Sequence, residues 1–181
     1  MIRTLLCALV LLLSFSASAD ADFKSYWEGL KQDIKATWDD GRWSIYAPFY
    51  AWHNRLTYDK KHIDKYNETA LGFGMGLSRY DENDNWHGLY AMGFKDSNHY
   101  LETFFGYAFM KNYSLDCSDK WRLGVGYTLG ITQRHEYSYI PVPLPLPIAG
   151  LSYKNVSLNA AYVPGVKNDG NVLFVWFKFD F

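Results

Sequence analysis

The sequence predicts an all-β fold, an eight-stranded antiparallel transmembrane β-barrel preceded by an N-terminal amphipathic α-helix. The end of the chain shows the period of two that marks a strand. One face of this segment carries large apolar side chains: Leu173, Val175, Phe177, Phe179 and Phe181. The composition agrees, since 49% of the residues are hydrophobic and 19% are aromatic, spread without long blocks beyond the N-terminal segment. Within hydrocarbon each backbone polar group needs a partner in the wall, so such strands imply a closed barrel.

Residues 1–19 have the features of a secretory signal peptide with cleavage before Asp20. Arg3 precedes an apolar run over residues 5–13, and small residues end the segment. The run is shorter than the roughly 20 apolar residues that a membrane-spanning helix requires. Export would leave Cys117 as the single cysteine, which excludes an internal disulfide and favours an incidental loop residue. The net charge of −1 gives no indication of nucleic-acid binding.

Residues 20–41 are predicted to form a periplasmic amphipathic helix. Its apolar positions recur at spacings of three and four residues: Phe23, Trp27, Leu30, Ile34 and Trp38. Charged residues lie between them, and Gly41 is a suitable helix stop. Two placements stay open and are compatible with each other: packing on the rim of the barrel, or lying in the lipid interface.

Residues 42–181 are expected to form the barrel, from eight strand candidates separated by polar or proline-rich breaks. The candidates span residues 43–58, 70–80, 85–95, 99–111, 120–135, 148–154, 156–163 and 171–181. An even number places both ends of the wall on the periplasmic side, so the connections alternate between the two faces. The outward connections are then residues 59–69, 96–98, 136–147 and 164–170.

Rows of glycine alternate with bulky residues in the second and fifth strand candidates. They comprise Gly72, Gly74, Gly76, Gly124, Gly126 and Gly130. Because the bulky residues face lipid, the glycines face the lumen and predict an elongated apolar slot that fits one hydrocarbon chain. The alternative is that these glycines only relieve strain in a small, curved barrel. Four prolines between residues 141 and 147 would deprive one side of the sixth strand of wall hydrogen bonds, which offers lipid a lateral entry.

The same topology brings His53 and the pair Asp96-Ser97 to the outer end of the barrel. His53 lies late in the first strand, which runs outward, and Asp96-Ser97 lies where the third strand meets its outer loop. A histidine, a serine and a carboxylate at the mouth of an apolar slot suit acyl transfer from a lipid ester. The alternative is an incidental arrangement, since these residue types are common in barrel rims and turns.

Several long motifs of this chain resemble the lipid A palmitoyltransferase family (PagP). They are Trp52-His53, Tyr58-Asp59, residues 76–79, residues 85–97, Tyr139-Ile140-Pro141, Tyr162-Val163-Pro164-Gly165 and residues 168–172. The resemblance covers nearly the whole mature chain. It implies an outer-membrane enzyme that moves an acyl chain, usually palmitoyl, from the sn-1 position of a phospholipid to the hydroxyacyl chain on the proximal glucosamine of lipid A.

By this resemblance His53, Asp96 and Ser97 are the catalytic residues. His53 would act as general base, with Ser97 either as the nucleophile of a covalent route or as a positioning hydroxyl for direct transfer. Asp96 would orient the histidine or stabilise its charge. Adjacent residues on a strand point to opposite faces, so Asp96 and Ser97 can both take part only if the strand has ended there.

The inward rows and the resemblance together indicate the substrate-binding positions. The acyl pocket is expected to include Gly74, Gly76, Gly106, Ala108, Met110 and Gly126, and lateral openings are expected at Pro48, Pro147 and Pro164. Ala108 stands where the best-known family members have a glycine at the floor of the pocket. Ala70 stands where the family often has a second proline beside the first opening.

The expected partners are a phospholipid donor and a lipid A acceptor in the outer membrane of a Gram-negative cell, and the chain also permits a homodimer. No cofactor is expected, and the remaining histidines lack metal-ligand spacing. The main rival is a non-enzymatic small barrel, an adhesin or a structural protein, although such barrels fill the lumen with charged residues. A soluble lipocalin-type barrel is the third hypothesis, and the lipid-facing rows and Phe181 argue against it.

Overall fold

The computed structural model describes residues 17–181, with side chains from residue 23 onward. The predicted signal peptide, residues 1–19, lies almost entirely outside the described residues, and its boundary stays a prediction. The bounds of the elements are α1 Ala17–Asp40, β1 Arg42–His53, α2 Lys60–Ile63, β2 Gly72–Tyr80, β3 Trp86–Lys95, β4 Leu101–Ser114, β5 Trp121–Gln133, β6 Val142–Tyr153, β7 Val156–Val163 and β8 Val172–Asp180. No helix of the described part of the chain is long and apolar enough to cross a membrane.

The eight strands form a closed antiparallel barrel, which confirms the predicted fold class. Each strand pairs with its neighbours in the chain, and β1 closes the barrel by pairing with β8. The closing ladder runs from Ser44 opposite Asp180 to His53 opposite Val172. Closure gives every strand two neighbours, so no strand of the barrel presents the full row of unpaired amides and carbonyls that the edge of an open sheet would present.

The two ends of the barrel differ in the length of their connections. At the end where β1 finishes, here called the loop end, the connections comprise residues 54–71, 96–100, 134–141 and 164–171. At the opposite turn end they comprise residues 81–85, 115–120 and 154–155. The first strand stops at His53 and not at residue 58, because Asn54 begins a turn whose carbonyl accepts the N–H groups of Thr57 and Tyr58 at 3.0 and 3.1 Å.

The start of the sixth strand was predicted wrongly. Its prolines were expected to delay it until residue 148, yet β6 begins at Val142. In an antiparallel ladder the backbone groups of alternate residues point to the same neighbour. The missing N–H groups all belong to alternate residues: Pro143, Pro145 and Pro147. Only one neighbour is therefore affected. The ladder to β5 is continuous from Val142 opposite Thr132, whereas pairing with β7 begins at Ile148. Proline therefore removes one side of the ladder without ending the strand.

Large side chains alternate between the two faces of the wall as predicted. On β2 the outward Phe73 and Met75 are 57% and 50% exposed, whereas the inward Gly74 is buried. The glycines leave room for inward side chains of the next strand: a Cβ at Gly74 would lie 2.5 Å from Met92 Cγ, and one at Gly76 would lie 2.8 Å from Tyr90 Cβ. Part of the space that the glycines leave is therefore filled by neighbouring side chains, and both interpretations of the glycine rows stay open.

Aromatic rings of three strands stack across the lumen. Tyr90 lies between Tyr46 and Phe104, with ring centroids 5.0 and 5.7 Å apart. Its hydroxyl lies 2.8 Å from Thr128 Oγ1 on β5, which satisfies a polar group that is buried in the wall. This stack joins β1, β3, β4 and β5 through the middle of the barrel.

A buried ion pair occupies the turn end of the lumen. Lys178 Nζ lies 2.8 and 2.6 Å from the two carboxylate oxygens of Asp180, and it also lies 4.9 Å from the ring of Trp86. Ser44 and Tyr80 donate hydroxyl hydrogen bonds to the same carboxylate at 2.7 and 3.1 Å. Because Lys178 is wholly buried, its charge depends on these partners.

We expect the Lys178→Met variant to lose about 3–5 kcal/mol of the free energy of unfolding, because Asp180 would remain as an uncompensated buried charge. Denaturant unfolding in detergent micelles, followed by tryptophan fluorescence, measures the loss. The double variant Lys178→Met with Asp180→Leu should regain most of it. Lys60→Met is the matched control, since Lys60 pairs with Asp64 at the exposed surface of α2. Equal losses in the two single lysine variants would contradict the buried-pair explanation.

Candidate active site at the loop end

The direction in which His53 points depends on a bulge in β1. Tyr46 and Pro48 face inward and are buried. The register with β8 then shifts, so that Phe49 is an extra residue without a partner on that strand. Such a bulge exchanges the two faces of the strand beyond it. Ala51 and His53 therefore face the lumen, and His53 is only 1% exposed.

Ser97 meets His53 from the connection between β3 and β4. His53 Nε2 lies 2.9 Å from Ser97 Oγ. The backbone N–H of Asn67 donates to the Ser97 carbonyl at 2.8 Å, so the connection between β1 and β2 also supports this turn. The structure thus brings together the histidine and the serine that the sequence placed at the same end of the barrel.

Asp96 holds the turn that carries Ser97. One of its carboxylate oxygens, Oδ1, accepts the N–H groups of Asn98 and Tyr100, both at 2.8 Å. Its own backbone N–H donates to the Tyr100 carbonyl at 2.8 Å. β3 ends at Lys95, which meets the condition that Asp96 and Ser97 can both take part only beyond the end of the strand. The carboxylate bends toward its own backbone, so the expected contact between Asp96 and the imidazole is not the one that the structure shows.

Glu68 is the carboxylate that contacts His53. Its Oε1 atom lies 3.2 Å from His53 Nδ1 and accepts the backbone N–H of His53 at 3.0 Å. Arg55 donates to both oxygens of Glu68, at 2.5 and 2.7 Å, and to the His53 carbonyl at 2.7 Å. The hydrogen bonds from the Arg55 guanidinium lower the pKa of Glu68 to about 2, so this carboxylate is ionised at neutral pH.

Two tyrosines of the connection between β1 and β2 enclose the imidazole. Tyr66 stacks on His53 with ring centroids 5.0 Å apart, and Tyr58 meets its edge at 5.1 Å. The Tyr58 hydroxyl donates to the Gly170 carbonyl at 2.6 Å. Burial raises the pKa of Tyr58 to about 12, so its hydroxyl keeps the proton that this hydrogen bond uses.

The sequence analysis did not single out Glu68, Arg55, Tyr58 or Tyr66 as individual site residues. The only signal was that Glu68 lies in a polar connection that directly follows the strand of the histidine. No regular spacing relates the two residues, because this connection folds back along β1. The fold-back is visible in the backbone, where the Ala51 N–H donates to the Glu68 carbonyl at 2.9 Å.

The expected acyl-pocket positions all lie on inward faces of β2, β4 and β5. They are Gly74, Gly76, Gly106, Ala108, Met110 and Gly126. Ala108 has no exposed surface and lies between Gly88 on β3 and Thr128 on β5. A Cβ at Gly126 would lie 2.8 Å from Met110 Cα, and one at Gly106 would lie 2.8 Å from Phe104 Cε1. These positions are therefore closely packed against neighbouring residues, and their role in an acyl pocket stays a prediction.

Two seams in the wall flank the loop end. The ladder between β1 and β2 runs only from Arg42–Ser78 to Tyr46–Gly74. Beyond it β1 pairs with β8, and the N–H groups of Ala51 and His53 donate to Glu68 of the connection instead of to β2. The ladder between β6 and β7 begins at Ile148. Pro48 lies at the start of the first seam. Pro147 is the last residue of the second seam, and Pro164 follows β7 directly.

Among the side chains that the structure describes, from residue 23 onward, no group of three histidine, cysteine or acidic residues could hold a metal ion. Cys117 is free and exposed in the connection between β4 and β5, at the turn end.

The chain is similar in sequence and fold to known proteins. Residues 33–178 match the family described as "Antimicrobial peptide resistance and lipid A acylation protein PagP". A Proteus mirabilis (strain HI4320) protein named lipid A acyltransferase PagP is 50% identical over 156 residues, which cover 86% of this chain and 74% of that protein. A protein of the same name from Yersinia enterocolitica serotype O:8 is 48% identical over 160 residues, which cover 88% and 78%. Among solved structures, the Yersinia pestis outer membrane protein Ail is similar with a TM-score of 0.41 and 13% identity, over 78% of this chain and 100% of that one. The chain belongs to the PagP family.

Proposed function

We propose that this protein is a lipid A acyltransferase. It moves an acyl chain, usually palmitoyl, from the sn-1 position of a phospholipid to the hydroxyacyl chain on the proximal glucosamine of lipid A. The observation that carries the proposal is the 2.9 Å contact between His53 Nε2 and Ser97 Oγ at the mouth of an apolar lumen. A base within hydrogen-bond reach of a hydroxyl is the arrangement that acyl transfer from an ester requires.

Two routes use the same pair of side chains. In the covalent route Ser97 Oγ attacks the donor carbonyl, its proton passes to His53 Nε2, and the lysophospholipid alcohol leaves with that proton. The lipid A hydroxyl then attacks the acyl-serine ester while His53 takes its proton and returns it to Ser97. In the direct route His53 takes the proton of the lipid A hydroxyl as that oxygen attacks the donor carbonyl. The departing lysophospholipid oxygen then takes this proton from His53 and leaves as the alcohol, and Ser97 positions the reactants. In both routes one ester bond forms for each one broken.

The outer wall and the seams fit a substrate that arrives from lipid. Large apolar side chains cover the outer face of the barrel, as expected for a wall in the outer membrane. The seams beside Pro48 and between Pro147 and Pro164 lie at the same end as His53, so they give acyl chains a lateral path to the reactive pair. Residues 1–19 would direct export and be removed before Asp20, leaving a helix over residues 20–41 and a barrel over residues 42–181.

We expect His53→Ala and Ser97→Ala each to reduce acyl addition to lipid A by at least about 10²-fold, because each removes one partner of the proton transfer. The measurement is mass spectrometry of lipid A from cells that carry each variant. His99→Asn is the matched control, because His99 lies in the same connection with a positive φ that asparagine tolerates. Heat-modifiable gel mobility reports folding. A folded His53→Ala variant with normal acylation would show that the catalytic assignment is wrong. Equal acylation in cells with and without the protein would favour the rival hypothesis of a non-enzymatic barrel.

We expect Ala108→Gly to lengthen the preferred acyl donor by about one carbon. The Ala108 methyl lies in the lumen between two strands, and a pocket discriminates one methylene by roughly 1–3 kcal/mol. The chain-length profile of acyl groups added from mixed phospholipids tests this. Ala149→Gly makes the same change on the exposed face of β6 and should leave the profile unaltered. An unchanged profile in both variants would exclude Ala108 from the pocket floor.

A further inference from the structure

We propose that Glu68 is the positioning residue of the catalytic histidine, and that Arg55 holds Glu68 in place. The expected effect of Glu68 on kcat rests on the proposed acyltransferase function, whereas its effect on the orientation and tautomer of His53 does not. Glu68 touches the imidazole from the side opposite Ser97, so it acts through His53 and not on the substrate.

A single carboxylate oxygen fixes both the backbone and the ring of the histidine. Glu68 Oε1 accepts the His53 backbone N–H at 3.0 Å and lies 3.2 Å from Nδ1 of the same residue. These two contacts close a ring that includes the His53 side chain, which restricts rotation about its χ angles. The stacked ring of Tyr66, with its centroid 5.0 Å away, limits the remaining tilt. Nε2 is therefore held toward Ser97.

The chemistry of a carboxylate also selects the histidine tautomer. A neutral imidazole has one N–H donor and one lone-pair acceptor, whereas an ionised carboxylate only accepts. Glu68 is ionised, so the proton of neutral His53 resides on Nδ1 and the lone pair of Nε2 faces the Ser97 hydroxyl. This is the tautomer that a general base needs. The same negative charge stabilises the imidazolium that forms when His53 takes a proton.

Arg55 prevents Glu68 from turning away. Its guanidinium binds both carboxylate oxygens of Glu68 and the His53 carbonyl, so one planar group fixes three oxygen atoms. A lysine in place of Arg55 would carry the same charge without this planar arrangement of donors. Asp96 provides no equivalent, because its Oδ1 is committed to the N–H groups of Asn98 and Tyr100.

The direct test is nitrogen NMR of histidine-labelled protein in detergent micelles at a pH where His53 is neutral. The His53 signals are assigned by their loss in His53→Ala. In the wild type we expect the signature of a proton on Nδ1 and a lone pair on Nε2. In Glu68→Ala we expect a mixture of both tautomers, because no acceptor remains at Nδ1. An unchanged signature in Glu68→Ala would overturn the proposal.

Kinetics separates positioning from a merely structural role. Glu68→Gln keeps the side-chain volume and an acceptor but loses the charge, so we expect kcat to fall by about 10²-fold or more with KM nearly unchanged. Added formate should restore part of the activity of Glu68→Ala, since it returns a carboxylate to the site. Glu136→Gln is the matched control, because Glu136 pairs with Arg134 in another loop of the same end, and it should alter neither kcat nor the tautomer.

The outcomes separate a failure of the positioning role of Glu68 from a failure of the proposed acyltransferase function. Full activity in Glu68→Gln, or Glu68→Ala that formate does not restore, would reduce Glu68 to a loop anchor and overturn the proposal. A tautomer change in Glu68→Ala, together with equal lipid A acylation in cells with and without the wild-type protein, would support the positioning contact and reject the proposed function.

Discussion

The structure depends on one constraint, that every backbone N–H and C=O in the wall needs a partner inside the wall. Hydrocarbon supplies no donors or acceptors, so each unmet group costs several kcal/mol. The antiparallel order and the closing ladder between β1 and β8 meet this constraint around the whole circumference. Pairing between neighbouring strands is interrupted beyond Tyr46 on β1 and before Ile148 on β6, and both interruptions lie toward the loop end. These are the places at which we propose that an acyl chain enters.

The lumen divides the remaining tasks along its axis. The turn end holds the ion pair of Lys178 and Asp180, whose desolvated charges need fixed partners. The middle holds the stacked rings around Tyr90 and the small residues that accommodate them. The loop end holds His53, kept in place by groups from the connection between β1 and β2. Stability and chemistry thus use different layers of one barrel, so substitutions in one layer leave the others largely independent.

Much of the fold follows from the sequence because alternation is a local property. Residues 171–181 and the glycine rows predicted strands and their faces, and counting strands placed His53 and Ser97 at the same end. The one-sided loss of hydrogen bonds along β6 follows from its prolines and is confirmed, but β6 begins at Val142 and not at residue 148, because prolines of one parity leave the ladder to β5 intact. The contact of Glu68 with His53 could not be predicted, since it depends on how an irregular connection folds back. Likewise, the turn around Asp96 shows that a carboxylate next to a serine can stabilise backbone and not a base.

The extra residue Phe49 divides β1 into two halves of opposite phase. Before it, odd-numbered residues such as Trp43 and Ile45 face outward; after it, even-numbered residues such as Trp52 do. The residues of β1 that can contact lipid therefore change parity once along its length. Deleting one residue within the bulge would leave every other residue of the chain in place and still turn His53 away from the lumen.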